Sequence, residues 1–527
     1  METVKDRGAW ARFWAEQGAT QTDASPLLLD PTKIQAVSLE HHFRWFGEWY
    51  GQDLNVESTF SLFTAEATPA PFAAAGAQSS TALLLLDSAR GTAVSLGGVS
   101  AAISLTQALV RQKAQPHLLM LTCSAQLPVP ASAGLGVSGM AHSGVWGLGR
   151  TLRLEVPGLC ARNADTTQGM TALTLAALAN EVEAEAEVAW ASGKRHAARL
   201  CRHGTIGTDC HSLLSGAWVL TGGLGGLALR AAALLLSNGA LRLVLSSRSG
   251  RVARDGQGLT ESLHALGSTA VLVPGDSGDA SLLTSMCSSE QARGLLHAAG
   301  VVEDQLILRM ATSPVANVFA AKAQAAERFH TLSVQKMLEA LVLYSSFAAT
   351  FGSLGVGNYA AANTVLDSLA LCRQSCGLTA NSLQPLNVSN MGIAQALNDV
   401  GKHARSWSLG IEQYAACLDG LLAGRSGIHL PLPYDMTRMA AEGDARIWKQ
   451  IMAQAWMTEV APEASISAPV TTVAAVVPGA VTASANEWQH HAASLVQGVV
   501  RELAGKGTDV DADITLMDAG IDSMAAT

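Results

Sequence analysis

The 527-residue chain has no apolar run approaching the ~18 residues that a membrane-crossing helix needs, so no span is expected. Its first residues carry acids and no long apolar stretch, so neither a signal nor a transit peptide is read there, and an intracellular, cytoplasmic setting is expected. The eight cysteines are scattered, form no C-x-x-C pair and stand in no Cys/His spacing that suits zinc. No metal is therefore expected, and reduced, buried thiols fit that setting. Aromatic residues are only 5%, which leaves Ala, Leu and Val as core material. Charged residues are 15%, the net charge is −9 and no basic run occurs, which argues against a nucleic-acid surface.

What is present suits an α/β protein with tight helix–sheet packing: 49% apolar residues and 49 glycines, with a mean hydropathy of +0.23. The length suggests two to four domains. Residues 1–55 carry two aromatic clusters, Trp10, Phe13 and Trp14, then Phe43, Trp45, Phe46, Trp49 and Tyr50; a helical or linker segment is expected. From 56 to 215 strands and helices alternate. Ala82–Leu86 and Leu118–Leu121 read as buried strands with an amphipathic helix near Ile103–Arg111, and Val188–Trp190 with His196–Leu200 as a hairpin. After the Ala82–Leu86 strand comes D-S-A-R-G-T, which does not fit a dinucleotide fingerprint. The expectation is a Rossmann-shaped body without a working cofactor site.

Residues 216–440 differ. Trp218, Val219 and Leu220 run into Thr221, Gly222, Gly223, Leu224, Gly225, Gly226, Leu227 and Ala228, followed by a helix to Asn238, a stop at Gly239 and the strand Leu241–Leu245. Such glycines bend the turn and let backbone N–H groups approach a pyrophosphate at a helix start; a structural turn is the plainer alternative. The second strand ends at Ser247 and Arg248 with no acid, which favours NADPH over NADH, unless Arg248 is merely a solvated side chain. Asp276 and Ser277 end a third strand, where an adenine edge is readable, and His297, Ala298, Ala299 and Gly300 end a fourth, where small residues allow close approach to a nicotinamide ribose. Lys322 lies in an expected helix, Val315–Phe329. By itself it reads as a solvated lysine.

The stretch Leu341–Asp367 is a buried strand, two serines (Ser345, Ser346), a loop with Gly352, Gly355 and Gly357, and an alanine-rich helix with Tyr359 and Asn363 on one face. A hydroxyl, a phenol and a carboxamide in that order suggest proton delivery to a carbonyl. They also fit a strand–loop–helix with incidental polar residues.

Five segments together resemble the ketoreductase domains of modular (type I) polyketide synthases, a branch of the short-chain dehydrogenase/reductase superfamily: T-G-G-L-G-G-L-A at 221, L-V-L-S-S-R-S-G at 243, H-A-A-G-V at 297, Y-S-S-F-A at 344 and N-Y-A-A-A-N-T-V-L-D at 358. H-S-G-V-W-G-L-G-R-T-L-R-L-E-V-P (His142–Pro157) looks like that family's non-catalytic structural subdomain. The resemblance covers about 56–435. It implies two Rossmann-like subdomains, a structural pseudo-Rossmann one and a catalytic NADPH-binding parallel sheet, and an active site of Lys322, Ser346, Tyr359 and Asn363. Where most short-chain reductases carry lysine four residues after the tyrosine, this chain has Asn363, so Lys322 must supply the cation. Two departures are visible. Pro385 and Val388 stand where the family shows tryptophans, so the substrate-facing segment Ser382–Gly392 is altered. Asp304, with Phe351 at a position where the opposite stereochemical class carries tryptophan, leans toward a D-configured hydroxyl product.

Residues 441–485 read as an Ala/Pro/Val-rich linker. Residues 486–527 resemble the start of an acyl carrier protein, with G-I-D-S-M placing 4′-phosphopantetheine on Ser523, although serine after aspartate is also a helix cap. The expected substrate is a β-ketoacyl thioester on a carrier, with other synthase domains as partners. An inactive scaffold and a free dehydrogenase of small alcohols are the competing readings.

Overall fold

In a computed structural model the described residues are 20–22, 25–28, 37–38, 59–64, 81–86, 96–111, 117–126, 138–166, 185–191, 194–198, 214–252, 258–289, 292–334, 338–385, 388, 409–423 and 427–431. The first half holds β1 (Thr20–Thr22), β2 (Ser25–Leu28), β3 (Val37–Ser38), β4 (Thr59–Thr64), β5 (Thr81–Leu86), α1 (Leu96–Leu109), β6 (His117–Cys123), α2 (Gly144–Glu155), β7 (Arg162–Thr166), β8 (Glu187–Ala191) and β9 (Lys194–Ala197). The expected hairpin near 190 is β8–β9, its second strand starting at Lys194. Of the segment 1–55 the described residues are the strands β1, β2 and β3, and β3 pairs with β4. Its aromatic clusters lie outside the described residues, as do the linker 441–485 and the carrier segment with Ser523.

This first sheet runs β3-β4-β5-β6-β7-β8-β9, parallel from β4 to β8 with an antiparallel strand on each edge. Its parallel strands follow one another in chain order. Open α/β sheets bind ligands where the order reverses, and among the described strands this sheet has no reversal. That is a topological reason, beyond the missing glycines, for a body without a cofactor crevice.

The second half holds β10 (Ala217–Thr221), α3 (Gly226–Ser237), β11 (Arg242–Ser247), α4 (Leu259–Ala265), β12 (Ala270–Pro274), α5 (Ala280–Ser289), β13 (Gly294–His297), α6 (Thr312–Phe319), a π-turn (Ala320–Gln324), α7 (Ala325–Ser333), β14 (Ala340–Tyr344), α8 (Phe347–Phe351), α9 (Gly357–Ser375), β15 (Asn381–Leu383), α10 (Ile411–Leu422) and β16 (Gly427–His429). The sheet order is β12-β11-β10-β13-β14-β15-β16, all parallel, and the order reverses between β10 and β13. Strands buried on both faces read as continuous apolar runs. Thus β10 sends Val219 into one core and Trp218 and Leu220 into the other.

The core below this sheet is continuous with the first sheet's. It joins Leu84, Leu105, Val145 and Trp146 to Val219, Leu341, Phe319 and Ala361. The meeting helices are α2 and α9. A methyl group on Gly147 would collide with the Ala360 carbonyl, and one on Gly144 would come within 3.2 Å of the Ala361 carbonyl, so glycine alone permits this approach.

Candidate active site

The fingerprint turn bends as its glycines allow. Gly222 has φ +64°, and a methyl group on it would meet the Ala299 backbone at 2.8 Å. Gly223 N–H donates to the Ser246 carbonyl at 2.8 Å, seating the turn on β11. Gly225 caps α3, and a methyl group there would touch only the Gly222 carbonyl, at 3.3 Å. The turn therefore leaves room beside the helix N-terminus, where free N–H groups favour an anion.

Thr221, Leu224 and His297 are buried. The Thr221 hydroxyl lies 2.7 Å from His297 Nδ1, and His297 Nε2 lies 3.0 Å from the Lys322 carbonyl. A carbonyl only accepts, so Nε2 carries the proton and Nδ1 accepts from Thr221. Burial, then the nearby Lys322 ammonium, pushes the His297 pKa down to about 3. The native state thus binds fewer protons at this site than the unfolded chain between about 3 and 6.5, and stability drains away as pH falls through 6.5. His297→Gln, which can keep both hydrogen bonds, is expected to lose less stability than the parent between pH 7 and 5. Urea unfolding at the two values measures this; equal losses in the two proteins would contradict it.

The expected helix around Lys322 is divided. It runs as α6, a π-turn at Ala320–Gln324 and α7, and such turns concentrate at functional positions. The π-turn buries Lys322, whose Nζ donates to the Tyr344 carbonyl at 2.8 Å and sits 5.1 Å from the Tyr359 ring centroid. Gly300 makes this possible: a methyl group there would lie 2.6 Å from Lys322 Cε. Burial draws the Lys322 pKa down to about 7, against the upward pull of Asp367.

Tyr359 is partly buried in the first turn of α9. Burial raises its pKa, while the Asn363 and Ser346 side chains pull it down. Asn363 Nδ2 donates to the Tyr359 carbonyl at 2.8 Å, and its Oδ1 is buried without a hydrogen-bond partner. The two serines diverge. Ser345 is buried and donates to the Asn363 carbonyl at 3.1 Å, whereas Ser346 caps α8, accepting from Ala348 N–H at 3.2 Å, with its hydroxyl toward Tyr359. Lys322, Ser346, Tyr359 and Asn363 are thus brought together.

One member went unassigned in the sequence. Asp367, two turns after Tyr359 on α9, is buried and accepts from Ser382 Oγ at 2.6 Å and Gln384 Nε2 at 2.8 Å. Burial lifts its pKa to about 6. An acid at this spacing in a helix of alanine and leucine was the available signal. Gln384 also accepts from Thr350 at 2.6 Å, so the start of the altered Ser382–Gly392 segment braces α8 and α9. Pro385 accepts from Phe347 N–H, Val388 is buried, and residues 389–392 lie outside the described ones.

The other expected positions are spread around the reversal point. Arg248 is exposed; Ser247 accepts from Gly250 N–H at 3.1 Å. Asp276 is exposed and accepts from Gly278 N–H at 2.7 Å, Ser277 is buried, and Ala298, Ala299 and Gly300 are partly exposed. Asp304 is exposed, with a pKa raised by partial burial. Phe351 is fully buried and stacks on Phe347 at 4.4 Å, so in this chain position 351 belongs to the packing of α8. No His/Cys/Asp/Glu cluster among the described residues could hold a metal ion, and no helix among them is long and apolar enough to cross a membrane.

Residues 216–389 match the KR domain family. The chain carries a KR domain of the polyketide synthase kind. It is 32% identical over 304 residues to Polyketide synthase GfsB of Streptomyces halstedii, covering 54% of this chain and 6% of that protein. It is 33% identical over 328 residues to the Spectinabilin polyketide synthase system protein NorB of Streptomyces orinoci, covering 59% and 15%. The chain thus spans a small part of these relatives' lengths. Among solved structures it is similar to A-type ketoreductases from a modular polyketide synthase (28% identity, TM-score 0.61, covering 69% of this chain and 80% of that one). It is also similar to an A1-type ketoreductase (26% identity, TM-score 0.61, covering 72% and 84%). The KR match begins at the fingerprint sheet, and the structural likeness extends over the KR domain and beyond it.

Proposed function

We propose that this chain reduces a β-ketoacyl group, held as a thioester on an acyl carrier, to the β-hydroxyacyl thioester with NADPH as reductant. The observation that carries this is the gathering of Lys322, Ser346, Tyr359 and Asn363 beside the strand-order reversal of the KR sheet. The residues fit the cofactor. The turn Gly222–Gly225 bends tightly against the protein and leaves room at Gly225, at a helix N-terminus suited to a pyrophosphate. Exposed Arg248 at the end of β11, with Ser247 and no acid beside it, suits a 2′-phosphate, and Asp276 and Ser277 suit the adenine.

NADPH, when bound, supplies hydride to the carbonyl carbon. Negative charge then grows on the substrate oxygen. Ser346 donates a hydrogen bond to that oxygen and Tyr359 gives it a proton, becoming phenolate. The Lys322 ammonium, close to the Tyr359 ring, stabilises the phenolate. The unpartnered Asn363 Oδ1 is placed to accept from a water that relays a proton from bulk solvent back to the Tyr359 phenolate. Phosphopantetheine on Ser523 of a carrier would present the substrate, with other synthase domains as neighbours.

The test is NADPH oxidation by the purified chain with a β-ketoacyl thioester mimic, and chiral chromatography of the product; no turnover would leave the scaffold reading standing. Arg248→Ala is expected to lower the preference for NADPH over NADH by about tenfold or more, the worth of a charge-assisted phosphate contact. Steady-state kinetics with both cofactors measures it.

A further inference from the structure

We propose that the subdomain without a cofactor crevice is part of the catalytic apparatus in a specific sense: Arg150 and Glu155 of α2 are positioning residues that set where Ser346 stands relative to Tyr359. The inference rests on the reduction proposed above.

The segment joining those two residues is held along its length by one face of α2. Arg150 is fixed by a two-point ion pair with Glu187 of β8, at 2.8 and 2.7 Å, and its remaining Nη1 donates to the Ala349 carbonyl of α8 at 2.5 Å. Ser346 caps α8, so the helix held by Arg150 is the one that aims the Ser346 hydroxyl. Next, Gly352 (φ +73°) lies so close that a methyl group would come 2.7 Å from the Arg150 carbonyl carbon. Ser353 N–H points at the Thr151 hydroxyl, 3.4 Å away. Glu155 then divides its carboxylate, Oε1 accepting from Gly355 N–H at 2.9 Å and Oε2 from Ile307 N–H at 2.7 Å. Those two strands of backbone are themselves tied, Gln305 N–H donating to the Gly355 carbonyl at 2.7 Å. Finally Gly147 and Gly144 seat α9 just after Tyr359.

A structural prop would need contact anywhere on the domain. These contacts instead fall between two groups that must meet one substrate oxygen. Placement errors of about 1 Å in such a constellation cost roughly a hundredfold in rate. A carboxylate accepting two backbone N–H groups, fixed on a helix seated by glycine contacts, is a suitable device for limiting that error.

The test compares Glu155→Ala, Glu155→Gln and Leu84→Ala in the full chain. Leu84 is a fully buried β5 residue that makes no hydrogen bond to the segment through its side chain and serves as a stability control. Glu155→Ala is expected to lower kcat about thirtyfold with NADPH affinity unchanged, and Glu155→Gln, which keeps one acceptor, to recover most of it. Amide hydrogen exchange at 352–357 should rise in Glu155→Ala and not in Leu84→Ala. The inference is overturned if Glu155→Ala and Leu84→Ala, compared where both are folded, differ neither in kcat nor in exchange at 352–357. Should Glu155→Ala not fold, Glu155→Gln against Leu84→Ala decides by the same two readouts. A parent chain that reduces no ketoacyl thioester would fail the proposed reaction, while the exchange measurement still decides whether α2 holds the segment.

Discussion

Tyr359→Phe is expected to lower ketone reduction by about 10²- to 10⁴-fold, the usual worth of a general acid, while NADPH affinity stays within a factor of about two. The substitution removes one oxygen and keeps the ring beside Lys322 Nζ. Binding at the Gly222–Gly225 turn does not use that oxygen and should not respond. Stopped-flow reduction and fluorescence titration of NADPH separate the two effects. Turnover within tenfold of the parent would remove Tyr359 from the role of proton donor.

The second large effect is a shift in pH dependence. Lys322 is charged below about 7 and neutral above it, so its support for the Tyr359 phenolate fades as pH rises through that value. Reduction should fall on this alkaline side. Asp367 is what keeps the value from sinking further under burial. Asp367 also faces Arg150, and Ser382 and Gln384 hold its two oxygens. Asp367→Asn retains the shape and removes the charge, so the alkaline limb should move to lower pH. Each pKa unit of movement takes about tenfold from the rate at neutral pH, and lowering the pH should restore it. A uniform loss at all pH values would mean that Asp367 only packs.

The catalytic sheet was legible because its strands are apolar runs closed by glycine turns, so the order of strand and helix could be read from Trp218 to Asp367. The first sheet was less so. Its β7 strand, R-N-A-D-T, carries polar residues into the interior, where Asn163 donates to the Val145 carbonyl and Asp165 accepts from Thr122, Ala125 and Gln126. Polar groups satisfied by distant partners leave no period in the sequence. Helix α1 begins at Leu96, earlier than expected, because Gly97 and Gly98 weaken a helical reading; Gly98 is there to admit the His142 ring.

The candidate site shows the same division. Ser346, Tyr359 and Asn363 lie on one short stretch and could be read together. Lys322 was a helix lysine until a resemblance gave it a task, since nothing local announces a π-turn held by His297. Arg150 and Glu155 were only letters in a motif, because what they hold lies some 200 residues away.

The continuous core beneath the KR sheet has a consequence for how such chains can be recombined. Residue 216 looks like a seam in the sequence, and the KR family match begins there. Yet Leu84 and Trp146 belong to the same apolar cluster as Val219 and Phe319. A transplant cut at that seam would expose apolar surface on both pieces. The unit that can be inherited or grafted whole is the pair of sheets, with the crossing of α2 and α9 kept from a single parent.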